Sequence, residues 1–528
     1  MIGYIDQNLQ IQLKLMADRA AIDTARLGDI ISGYLASEQY KAMYNADLYY
    51  VGRHDILDAT RSYYIDKIKQ TDDVSANNKI PHPFLSILID QKASKVAGKP
   101  ISLSIANDVD EASDEITPDA REFEDELTKL CGVTFDDKVY DWIVGASKHS
   151  VEWLHPYINT RGEFKYIVCP ATEIIPIYDT QYEDELLYVL RFYLVDLVDA
   201  NGQSLKRYKV EWWTKEDVTY WAQDAAGSYF IDMFYPVNPM PHWMMEFTTS
   251  GKKTLEAHSW GRVPFIELQN NARGRTDLAD IKPLVDAYDK VVSGWANDID
   301  DFAEQILVVK NLAIHDRELK AGMSELAVFV QNLKEHHVIT IDGDGDVKSL
   351  KADIPVEAKE RFLSMTRKAI FYFGRGVDSS PDVIGQSPSG VALQHLYSLL
   401  DMKCNDIIVK LRVALKDFFW FVTTYINETT GKSYDPNTVI ATFNTSQMFN
   451  KKEIIDGIKE RVGFLSTQTL LGLDPDVNDV AEEMDRLAKE KAAQKLEDEA
   501  KQARAIELAT AQNKQSQNMD PNKIMGAT

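Results

Sequence analysis

Between Asp277 and Ile306 the apolar residues keep helical spacing and stay on one side. Turning about 100° per residue, Leu284, Tyr288, Val291, Trp295, Ile299, Phe302 and Ile306 fall within about 40° of one line. Asp286, Asp289, Ser293, Asn297, Asp300 and Glu304 fall within about 60° of the opposite line. A helix divided in this way must bury one side and offer the other to water or to polar partners. Eight acidic residues stand between Asp277 and Glu304 against two basic ones, Lys282 and Lys290. The periodicity alone therefore predicts a packed apolar side carrying Trp295, Ile299 and Phe302, and a solvated acidic side opposite.

The flanking sequence gives the class. Residues 1–75 read as helices, with one helix over Ile30–Asn45 that stops near Gly52. A further helix ends at Gly98 and Pro100. Asn107–Glu126 holds ten acidic residues and one basic one, a solvated loop entering a helix. Residues 150–235 turn to strand character at Phe164–Val168, Glu173–Ile177, Leu187–Tyr193 and Tyr208–Trp213, and Asn201-Gly202 is a hairpin turn signal. Among the aromatic residues there, Trp212, Trp213, Tyr220 and Trp221, no interleaved basic residues form a track. These aromatics read as cross-strand core pairs and not as a base-stacking surface.

After the amphipathic helix comes a compact α/β insert. Strands are expected at Gln305–Leu312, His337–Ile341 and Val347–Leu350, with a helix at Arg317–Glu335 on which Leu319, Leu326 and Phe329 share a face. A basic helix follows at Val356–Gly374. Then comes a Gly/Pro segment from Gly376 to Gly390, and a long helix from Val391 to about Glu428. Beyond Phe449 the chain reads as helical, and its polar last residues read as disordered. The fold class is α+β and multidomain.

With 58 basic residues against 82 acidic ones the formal charge is −24. That balance argues against tight DNA binding, which rests on basic phosphate contacts. Three widely spaced cysteines, Cys131, Cys169 and Cys404, make neither a disulfide framework nor a CxxC zinc pair. The start of the chain lacks the charged and apolar blocks of a secretory leader. Val409–Ile426, the most apolar stretch, is broken by Lys410, Arg412, Lys416 and Asp417, as a buried helix would be.

Enzyme motifs mostly fail. Gly431-Lys432-Ser433 ends like a phosphate-binding loop, but Ile426 holds the place of its first glycine. Asp342, Asp344 and Asp346 resemble the start of a calcium loop, yet Val347 replaces the turn glycine and Asp353 the closing glutamate. No catalytic residue, metal ligand or cofactor is assigned.

Strings along the chain resemble those of tailed-bacteriophage portal proteins, the head-to-tail connectors, of the type found in siphophages of Gram-positive bacteria. They are Tyr49–Leu57, Asn78–Phe84 with Ala97–Pro100, Gly261–Asn270 and Ile281–Asp289. The order of strands, amphipathic helix, α/β insert, second helix, Gly/Pro loop and long helix matches as well, over roughly residues 30–430.

The resemblance implies a portal fold with helical stem, small α/β clip, α/β wing and helical crown. By position the wing is 1–276, the first stem helix 277–304, the clip 305–354 and the second stem helix 355–375. The tunnel loop is 376–390, the long wing helix 391–448, and the crown with its tail 449–528. It implies a ring, usually of twelve copies, at one capsid vertex of the virion. It also implies assembly in the host cytoplasm and no membrane contact. The implied partners are the terminase large subunit, a head-completion or adaptor protein, scaffold and major capsid protein, and double-stranded DNA passing through without sequence specificity.

On that reading Asp286, Asp289, Asp300 and Glu304 line the channel, where acids would repel phosphates. Trp295, Ile299 and Phe302 pack the stem, and Arg317, Lys320 and Asp344 dock the motor. The tunnel loop would touch DNA through backbone and short side chains: Asp378, Ser379, Ser380, Pro381, Asp382, Gln386, Ser387 and Ser389. The competing readings are another structural or adaptor protein of a viral assembly, and a metal-dependent nuclease using Asp342, Asp344 and Asp346.

Overall fold

The computed structural model describes residues 24–65, 68–71, 75–106, 117–179, 185–198, 204–235, 237–249, 252–302, 306–310, 346–350, 355–380, 390–443 and 451–474, with short runs and single positions from 477 to 501. The helices among them are, in chain order, α1 (Thr24–Ala36), α2 (Glu38–Tyr50), α3 (Phe84–Ala97), α4 (Pro118–Cys131), α5 (Phe135–His149), α6 (Lys282–Phe302), α7 (Val356–Phe373), α8 (Gly390–Thr430), α9 (Lys451–Arg461) and α10 (Thr467–Leu473). The chain divides into two compact units: residues 1–41, 89–275 and 379–528 in one, 42–88 and 276–378 in the other. Residues 42–88 thus cluster with 276–378 and not with the rest of the N-terminal part, where the sequence placed them.

The larger unit is built on an antiparallel sheet. Its strands run in the spatial order Tyr229–Ile231, Asp217–Gln223, Ser204–Trp213, Leu186–Val198 and Ile174–Tyr178, and the short Met240–Pro241 strand pairs with Asp217–Gln223. Val198 is opposite Ser204, so the strands flanking Asn201-Gly202 pair as a hairpin; the turn itself lies outside the described residues. The expected aromatic pairing is present. Trp212, Trp213 and Trp221 are buried, and Trp212 stacks on Tyr188 with ring centroids 5.2 Å apart.

Leu27, Ile30, Ile31 and Tyr34 of α1 cover this sheet over Ile175, Ile177, Leu190, Phe192 and Val210. α1 and α2 are two helices where the sequence predicted one. Ser37 accepts the Tyr40 N–H at 3.1 Å through Oγ, and this side-chain cap starts α2.

A second sheet of the same unit orders Ile266–Gln269, Val151–Ile158 and Phe164–Cys169. It packs among α5 and α8, where Phe418 lies 4.9 Å from Tyr166 and 5.9 Å from Phe135. Gly145 of α5 admits the buried Glu152 side chain, since a Cβ there would lie 2.5 Å from its carboxyl carbon. The 41 residues of α8 match the long helix expected from Val391, and its buried residues (Leu400, Cys404, Ile407, Leu411, Leu415, Phe418, Val422, Ile426) keep a helical period from 400 to 426.

The smaller unit joins α6 and α7 with the chain around Tyr49–Leu88. Phe84 meets Tyr288 of α6 edge-on at 5.1 Å and Phe371 of α7 at 6.0 Å. Its described strands are the hairpin Ser62–Ile65 with Ile68–Thr71, and Ile306–Lys310 paired antiparallel with Asp346–Leu350. The last pair brings together the two ends of the α/β insert. The helix and strand expected at 317–341, with Leu319, Leu326 and Phe329, lie outside the described residues.

Candidate functional site

The polar side of α6 is occupied by its own chain. An extended segment, 75–83, runs antiparallel to the helix and presents its backbone N–H groups to side chains one helical turn apart. Asn78 N–H donates to Asn297 Oδ1 at 2.5 Å, Ile80 N–H to Ser293 Oγ at 3.0 Å, and His82 N–H to Asp289 Oδ1 at 3.0 Å. The periods agree: two extended residues advance about 6.6 Å and four helical residues about 6.0 Å. Pro81 and Pro83 have no N–H to leave unpaired and favour the extended backbone. Asn78 Nδ2 extends the ladder to Asp300 Oδ2 at 2.6 Å.

Asp289 is the centre of the contact. Its residue is fully buried, and its carboxylate also meets His54 Nδ1 at 2.6 Å and His82 Nδ1 at 2.8 Å. Burial alone would raise this carboxyl. Hydrogen bonds from His54 and His82 outweigh that and hold it below the ordinary aspartate value. The other nitrogen of His54 faces the Tyr49 carbonyl at 3.2 Å.

One turn earlier, Tyr49 donates to Asp286, and Lys282 reaches Tyr49 Oη at 3.0 Å, Asp55 Oδ2 at 2.5 Å and Asp286 Oδ2 at 2.9 Å. Burial and then Asp286 raise the Tyr49 phenol; Lys282 is raised by Asp55, Asp286 and Tyr49 against the opposing effect of burial.

These contacts correct two expectations. Asp289, expected to line a channel, is closed off within a single chain, and Asp286 is engaged by Tyr49 and Lys282. Asp300 stays exposed while bonded to Asn78, and Glu304 lies outside the described residues. The apolar side is the more open one towards its end: Ile299 is 59% exposed and Trp295 half-buried, while the Phe302 side chain lies outside the described ones. The N–H groups of Asn78, Ile80 and His82 need acceptors and find them on the polar side. The signal was present in Asn78-Lys-Ile-Pro-His-Pro83, where proline at alternate positions marks an extended strap.

Asp378 is a further correction. It is 6% exposed and paired with Arg367 through two bonds of 2.8 and 2.9 Å, so it does not offer its charge to a passing polymer. Ser379 is exposed and Ser380 half-buried. Pro381, Asp382, Gln386, Ser387 and Ser389 lie outside the described residues, as do Arg317, Lys320, Asp344 and Asp342. Of Asp346 only the strand backbone is described. Among the described residues no cluster of three or more His, Cys, Asp or Glu side chains could hold a metal ion, and no helix is long and apolar enough to cross a membrane.

Residues 35–496 match the family described as phage portal protein, SPP1 Gp6-like. The chain belongs to that portal family. It is 31% identical over 447 residues to the portal protein of Bacillus phage SPP1, covering 84% of this chain and 82% of that one. It is 28% identical over 470 residues to the portal protein of Clostridium phage phiCD119, covering 84% and 94%. Among solved structures it resembles a chain from the neck of an empty GTA particle, at 12% identity and a TM-score of 0.37 over 74% of this chain and 88% of that one. The portal family is a structural one, and phage portal proteins are virion components; the α+β architecture fits that membership.

Proposed function

We propose that this portal-family chain forms a homo-oligomeric ring, of twelve copies, at one capsid vertex, and that double-stranded DNA enters and leaves through its centre. The match over residues 35–496 carries the reading. Apolar side chains left open in the single chain support assembly: on α7, Phe362, Met365, Tyr372 and Phe373 are 43 to 65% exposed, as Ile299 is on α6. In the ring α6 and α7 form the stem, with Trp295, Ile299 and Phe302 packing it, and the insert between them forms the clip. Arg317, Lys320 and Asp344 on the clip meet the terminase large subunit and later an adaptor. Scaffold and major capsid protein meet the outer parts, and assembly takes place in the host cytoplasm.

Asp300 and Glu304 remain as channel acids, and Asp382 is the acid of the tunnel loop. The loop narrows the channel by bulk and weak polar contacts, because it has no Lys or Arg between Gly376 and Gly390. Deleting Asp382–Ser387 leaves ring assembly intact and impairs DNA retention or late packaging. Normal packaging and retention of full-length DNA by that variant would reduce the loop to a connector.

A further inference from the structure

The chain leaves α7 through a root fixed at five successive residues. Gly374 N–H bonds to Ile370 O at 2.8 Å, and a Cβ on Gly374 would lie 2.6 Å from Leu88 Cδ1 and 2.7 Å from that same oxygen. Arg375 holds a left-handed backbone with φ 52° and bonds to Tyr372 O at 3.2 Å. Gly376 N–H bonds to Phe371 O at 2.9 Å, and Val377 is 3% exposed. Asp378 closes the series: Arg367 Nε meets its Oδ2 at 2.8 Å and an Arg367 terminal nitrogen its Oδ1 at 2.9 Å. The guanidinium also lies over the Phe371 ring at 5.7 Å, a second contact that orients the fork. The first exposed residue is Ser379.

We propose that Arg367 and Asp378 form a clamp that sets where and in what direction the segment from Ser379 departs, so that Asp378 is a positioning residue of the DNA passage and not a DNA contact. The proposal rests on the portal reading above. An aspartate placed to repel phosphate would face water, as Ser379 does; this one is closed off and neutralised in a two-bond pair, the strong form of a carboxylate–guanidinium contact. Asp378 and Asp382 are the only ionisable residues between 376 and 390. With Asp378 compensated, Asp382 is the only other acid that the sequence places in the segment.

The test uses the full chain carrying Ser379→Cys with a nitroxide label. Cys131, Cys169 and Cys404 are all buried, so the new thiol takes the label. The native root gives an immobilised spectrum. Asp378→Asn and Arg367→Gln each convert it to a mobile one, and the double variant is no more mobile than either single, because both act through one contact. Particles assembled with either unlabelled single variant lose nuclease-protected DNA while rings still form; Arg367→Lys, which keeps charge but not the fork, serves if Arg367→Gln fails to fold.

Three results would overturn the clamp: an unchanged spectrum in both single variants, additive loosening in the double, or a loosened root with full DNA retention. If the unaltered chain forms no ring, the portal reading fails instead, and the spectra still decide whether the root is clamped.

Discussion

At the scale of single residues, Asp289 is where the smaller unit is most exposed to damage. Asp289→Ala leaves His54, His82 and a backbone N–H without their acceptor, and removing one partner of a buried charged contact costs about 3–5 kcal/mol. Denaturant unfolding followed by far-ultraviolet circular dichroism measures this; a loss within experimental scatter would show that the contact is dispensable. Because the folded carboxyl is held below its ordinary value, its contribution is present above about pH 4 and disappears as pH falls through the folded value.

In the larger unit the acid response has another source. Burial pushes His155 down to about 3 and His242 to about 4, so both stay neutral when folded. The unfolded chain takes up protons first, near the ordinary histidine value of about 6.5, so stability falls as pH drops from there towards the folded values. His155→Phe, which keeps the stacking on Phe265 at 4.3 Å but gives up the Pro264 bond, flattens that decline in a pH series of melts. An unflattened decline would place the acid sensitivity elsewhere.

Elements were legible in the sequence wherever one period ran unbroken. The 3.6-residue period of α6, the strand pairing from Leu186 to Trp213 and the length of α8 all follow from residues near in sequence. What local pattern could not give was which side of α6 is covered. Its partner, Asn78–His82, lies more than 200 residues earlier, and a polar side looks the same in sequence whether water or a strap of backbone N–H groups satisfies it. Asp378 misled for the same reason: its charge is cancelled by Arg367, eleven residues back across a glycine-rich bend. The ladder itself is testable. Ser293→Ala removes the acceptor of Ile80 N–H at a buried position and costs about 1–3 kcal/mol, whereas Ser293→Thr, which keeps the hydroxyl, costs less. Equal losses in the two variants would mean that the hydroxyl contributes nothing.

For the whole molecule, the family membership and the open apolar positions of α6 and α7 point to assembly, and the charge of −24 per chain opposes it. Screening shortens that repulsion to about 8 Å at 0.15 M salt, so rings accumulate as salt is raised, provided the contact is apolar at its centre. The most direct measurement is electron microscopy of the purified full-length chain, imaged from low salt to above physiological salt. Closed rings with a central hole wide enough for a DNA duplex are expected, more abundant at the higher salt. Single chains or open filaments at every salt concentration would contradict ring assembly.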